Sequence, residues 1–157
     1  MAERRKQRSE RGFLRSLFHR NRKEEKPDAA QLRREDELFQ RIERRIVRKE
    51  LYRQKHLSLY ILAKEVGTNR TYVSNILKHK GLTFSAYMGS FRVLKVIQLL
   101  SEPSGDNLDA GAVANRCGFM SERTMNYYLT VSLGMTFTML RRRIVLLKEY
   151  SAIEEMP

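Results

Sequence analysis

Ala63–Val73 reads AKEVGTNRTYV, and the rest of the chain can be built outward from it. Ala63 and Val66 fall on one helical face that ends at Gly67. Asn69 is a residue type that opens helices by accepting a backbone N–H. The spacing predicts a helix, a turn on Gly67 and a second helix, which is the helix-turn-helix outline. Upstream, Ser58 is the expected N-cap, with Leu59, Leu62, Ala63 and Val66 inward. Ala63 is small where the second helix must cross. Downstream, the second helix runs from Asn69 to about His79 and closes on Gly81. At about 100° per residue, Val73, Ile76 and Leu77 cluster on one side and Thr71, Ser74, Asn75 and Lys78 on the other. The outer line is polar and short, which suits a helix in a groove about 12 Å wide.

The outline occurs twice. Ala63 and Gly67 recur as Ala114 and Gly118, at an offset of 51. Val73, Ile76 and Leu77 recur as Met125, Tyr128 and Leu129, at an offset of 52, and GLTFS at Gly81 recurs as GMTFT at Gly134, at an offset of 53. Caps, turn glycines, buried stripes and the segment after each helix repeat in order, a stronger signal than any one motif. Ser121 is then the second N-cap, and the second outer line is Arg123, Asn126, Tyr127 and Thr130.

Three longer helices frame the repeat. Phe84 to about Ser101 predicts a linking helix with Tyr87, Met88, Phe91, Leu94 and Ile97 inward, some 27 Å long at about 1.5 Å per residue. It stops before Pro103 in the loop SEPSGDN. Asp36–Tyr52 predicts a leading helix packed through Leu38, Phe39, Ile42 and Ile46, with Glu37 and Arg41 an exposed i,i+4 pair. Phe137 to about Tyr150 predicts a closing helix carrying Arg141, Arg142 and Arg143.

Composition agrees with an all-α body. The 157 residues are 41% apolar and 31% charged, with no Trp. A formal net charge of +13 calls for a polyanionic partner, nucleic acid or an anionic membrane surface. The single Cys117 cannot form an intramolecular disulfide and reads as a core residue. No Cys/His spacing suggests zinc, so a reducing cytoplasm is expected. No apolar run approaches the roughly 18 residues of a membrane span, and no secretory signal is legible. Met1–Lys26 holds ten Lys/Arg against four Glu and reads as a disordered basic tail. Within it FLRSLFHR could lay Phe13, Leu14, Leu17 and Phe18 on a lipid surface or set its arginines on DNA. No catalytic constellation and no cofactor motif appear.

These residues resemble the AraC/XylS family of bacterial transcription regulators. AKEVGTNRTYV followed by LKHKG matches the family's first unit, and VANRCGF its second. The departures are Leu77 and Leu129 for phenylalanines, Thr130 for a phosphate-facing lysine, Val96 for a small residue and Phe137 for the usual proline. The resemblance implies a homeodomain-like fold with two helix-turn-helix subdomains joined by a long helix. Its expected organisation is a basic tail over 1–35, a leading helix and linker over 36–56 and a DNA-binding domain over 57–150. The last divides into a first unit at 57–83, the linking helix at 84–101 and a second unit at 108–150.

The partner implied is double-stranded DNA in the cytoplasm, at the nucleoid, with RNA polymerase a further one. Thr71, Ser74, Asn75 and Lys78 would face one major-groove segment, and Arg123, Asn126 and Tyr127 the next. Arg70, Lys80 and Arg92 are backbone-contact candidates, or equally solvated or internally paired charges. The family commonly places an effector domain upstream, but the 56 residues before Leu57 are too few and too polar for a sugar-binding barrel. Two other readings stay open: a nonspecific architectural DNA-binding protein, and an interaction module at a membrane surface.

Overall fold

The computed structural model describes residues 28–154, the side chain of Asp106 excepted, so the readings made for Met1–Lys26 lie outside the described residues. Among the described residues the chain forms seven α-helices and two short 3₁₀ turns, with no strand. The helices are α1 (Ala29–Arg48), α2 (Leu59–Glu65), α3 (Arg70–His79), α4 (Phe84–Ser101), α5 (Ala110–Arg116), α6 (Glu122–Leu133) and α7 (Phe137–Glu154), and the turns are Leu51–Arg53 and Pro103–Asn107.

The leading helix differs from the expectation at both ends. It starts at Ala29 rather than Asp36, because Ala, Gln, Leu and Arg favour a helix without needing a buried face. It stops at Arg48 rather than Tyr52, because Glu50 takes φ 46° and ψ 40° and turns the chain. Leu51 and Tyr52 are buried, and they enter the core from a 3₁₀ turn. A left-handed conformation costs a non-glycine residue about 1–2 kcal/mol. The Glu50 carboxylate offsets this by accepting from Arg53 Nη1 and Tyr52 Oη and lying 3.3 Å from Lys95 Nζ. The Arg53 hydrogen bond holds the Glu50 carboxyl below its ordinary pKa against the opposing effect of desolvation.

The repeat read from the sequence is a repeat of hydrogen bonds. Ser58 Oγ accepts from Ile61 N at 3.3 Å and Asn69 Oδ1 from Tyr72 N at 3.0 Å, opening α2 and α3. In the second copy Asp109 Oδ1 accepts from Ala112 N at 2.8 Å and Ser121 Oγ from Thr124 N at 3.1 Å. Between each pair the chain turns the same way. Thr68 N donates to Ala63 O and Gly67 N to Lys64 O; Phe119 N donates to Ala114 O and Gly118 N to Asn115 O. This pattern satisfies carbonyls that a helix end would otherwise leave bare.

Two cores follow. Ile42 and Ile46 of α1 close the first over Leu62, Ala63, Val73 and Leu77. The second gathers Val113, Phe119, Met125, Leu129 and Leu140. Cys117 belongs to it, fully buried, and burial pushes its thiol up to about 12, so it is an inert core residue.

α4 contributes to both cores, and its inner line is not the one expected. Tyr87 and Met88 are buried, but Phe91 and Ile97 are only half-buried and Leu94 is 63% exposed. The line runs through Gly89, Val93, Val96 and Leu100 instead. A helix that feeds two cores is apolar nearly all round, so periodicity alone leaves its phase open. Gly89 decides it: a Cβ there would stand 2.3 Å from Tyr128 Cε1, so the ring seats against bare backbone.

Candidate nucleic-acid interface

α3 and α6 each bury one side and expose the other. Val73, Ile76 and Leu77 are at most 2% exposed, and Met125 and Leu129 are fully buried. Opposite them, Arg70, Thr71, Ser74, Asn75 and Lys78 on α3 and Arg123 and Tyr127 on α6 are exposed. At about 100° per residue the line Thr71, Ser74, Asn75 and Lys78 spans an arc of about 100°, narrow enough to face one groove. Tyr72, at 60% exposure beside that arc, was not singled out by the wheel, which took it for neither face.

Asn126 departs from its expected outward position. It is half-buried, and its Oδ1 accepts the backbone N–H of Phe137 at 2.7 Å, capping α7 from α6. That bond takes one lone pair of its oxygen and fixes the amide against the start of α7, so Asn126 is not free to turn for a two-bond contact with adenine. The physical cause is Phe137, which brings an N–H where proline would bring none. Asn126→Ala should therefore cost about 1 kcal/mol in urea unfolding. In a Phe137→Pro background, where no N–H needs a partner, the same change should cost nothing; an equal loss in both backgrounds would rule out the capping role.

Two other candidates are engaged within the chain, Lys80 at an exposed position and Arg92 half-buried. Lys80 Nζ lies 2.7 Å from Asp36 Oδ1 and over the Phe39 ring. Arg92 donates through Nε to Tyr52 O at 2.6 Å and through Nη2 to Gln54 O at 3.1 Å, with its guanidinium over the Phe119 ring at 5.8 Å. Both cations therefore have partners within the chain. Arg53 Nε reaches Arg116 O at 3.0 Å, so the 50–54 turn is gripped from α4 and from the end of α5. That turn carries Leu51 and Tyr52 into the first core while touching the second unit.

Residues 62–143 match the family described as "Helix-turn-helix domain", in its AraC type, over more than half of the chain. The chain belongs to the AraC-type helix-turn-helix family of DNA-binding transcription regulators. Among solved structures it is similar to a DNA-binding transcriptional dual regulator from Escherichia coli K-12, at 21% identity and a TM-score of 0.52, covering 58% of this chain and 79% of that one. That likeness bears on the fold. No curated protein sequence matches the chain. The matched span of this AraC-type chain takes in both exposed arcs and the helix between them, and α1 lies outside it.

Proposed function

We propose that the chain regulates transcription by reading two adjacent major-groove segments, α3 entering one and α6 the next. The observation that carries this is the pair of exposed polar arcs on capped helices, held together by one 18-residue helix. At about 1.5 Å per residue α4 is some 27 Å long, compatible with two readers one DNA turn of roughly 34 Å apart.

In the first segment Asn75 pairs with adenine, with Thr71 and Ser74 beside it and Arg70 and Lys78 on phosphates. In the second Arg123 donates to guanine, and Tyr127 supplies an aromatic contact with its hydroxyl outward. Asn126 holds α7 rather than a base. Selection of bound sequences from random duplex DNA tests the whole reading. Asn75→Ala should relax preference in one half only and Arg123→Ala in the other, each costing about 1–3 kcal/mol of discrimination. No preferred sequence in the selection would make the chain an architectural DNA-binding protein held by charge.

A further inference from the structure

A cleft of about 440 Å³ lies between α1 and the Gly67 turn, lined by Arg41, Arg44, Arg45 and Arg48 on one side and by Lys64 and Glu65 on the other. Its one carboxylate is already engaged: Glu65 lies 2.8 Å from Lys49 Nζ and 3.7 Å from Arg45 Nε, and Arg45 also donates to the Glu65 carbonyl. Arg41, Arg44, Arg48 and Lys64 have no ion-pair partner among the described residues. The arginines also oppose one another. Arg41 with Arg45 and Arg44 with Arg48 are like charges four apart on one helix, each pair destabilising by about 0.2–0.5 kcal/mol. Among the described residues no ion pair offsets this cost for three of the four.

We infer that this cleft carries the phosphate backbone of the DNA flanking the segment that α3 reads, so the interface extends onto α1, beyond the family-matched span. The inference rests on the two-segment reading. Its chemistry is phosphate recognition: guanidinium forks suit phosphate oxygens, and nothing here discriminates bases. The shape favours a polymer. The arginine row spans eight residues, seven steps of about 1.5 Å, so it extends some 10 Å along α1, and it is open to solvent. A small-molecule site would enclose its ligand in mainly apolar walls. Position agrees as well. Gly67 lines the cleft and Arg70 follows three residues later, so at most about 11 Å of chain separates the cleft from the start of α3.

The test uses the full chain with Arg41, Arg44 and Arg48 changed together to glutamine, sparing Arg45, which ties α1 to α2. Binding to the selected site and to a random duplex is measured across a salt series. The logarithmic salt slope should become shallower by about 2–3, and affinity should fall equally on both duplexes, leaving sequence preference unchanged. Lysine at the three positions should restore most of the slope, which separates lost charge from lost folding. A triple variant whose slope is unchanged, beside a wild type that does prefer one sequence, overturns the inference alone, whereas a wild type with no preference overturns the two-segment reading. Tripolyphosphate raising the melting temperature of the wild type but not of the triple variant, with the DNA slope unchanged, would assign the cleft to a small polyphosphate and overturn it too.

Discussion

Replacing Gly118 by alanine should unfold the chain at markedly lower urea, while the same replacement at Gly67 should be tolerated. Both glycines end the first helix of a helix-turn-helix pair, and both have positive φ, 85° and 68°. Alanine in a left-handed conformation costs about 1–2 kcal/mol at either position. The surroundings separate them. At Gly67 a Cβ would meet nothing within 4 Å, whereas at Gly118 it would stand 2.6 Å from Arg53 Cα, Arg53 O and Tyr52 O. These are backbone atoms that cannot rotate away, so overpacking adds about 1–3 kcal/mol. The total of roughly 2–5 kcal/mol corresponds to a fall in melting temperature on the order of 10 °C for a domain of this size. Urea titration of both variants measures the difference. Equal losses at the two glycines would mean that the 50–54 turn does not press on the second unit at Gly118.

That contact was not legible from the residues, and the reason is general. Caps, turns and buried stripes are local: Ser58, Asn69 and Ser121 cap as expected because an N-cap needs only the three residues after it. The repeat made the second copy as readable as the first. Arg92 and Gly118 instead take their meaning from a turn about 40 and 65 positions away in the chain, and no periodicity encodes a partner at that distance. Arg92 read equally as a phosphate contact or as an internally paired charge, and nothing in its own neighbourhood of the sequence decided between them. Glu50 gave no signal of its left-handed backbone, since glutamate is an ordinary helix former. In the candidate site, six of the seven residues expected to face a groove lie on the exposed side, because burial on α3 and α6 follows helical phase. Asn126 was missed because the group that claims it, the N–H of Phe137, belongs to the next helix.

Arg92→Met should lower stability and loosen the spacing between the two DNA segments together. Methionine keeps an apolar stem against Phe119 but donates to neither Tyr52 O nor Gln54 O. Burial draws the Arg92 pKa below the ordinary arginine value, the mark of a charge taken partly out of water, so its hydrogen bonds carry more than surface ones. Losing two bonds from a charged donor, with one carbonyl only partly rehydrated, should cost about 2–4 kcal/mol. Lysine should recover less than half, since an ammonium cannot span two carbonyls as a planar guanidinium does. The functional consequence follows from the same geometry. The two cores stay intact, each with its recognition helix, but the 50–54 turn no longer holds one against the other. Selection on duplexes with one or two base pairs inserted between the half-sites should then show the variant tolerating spacings that the wild type rejects, with base preference inside each half unchanged. A variant as stable as the wild type, or one that keeps a single spacing despite lost stability, would show that α4 alone sets the separation and that the grip on the turn is incidental.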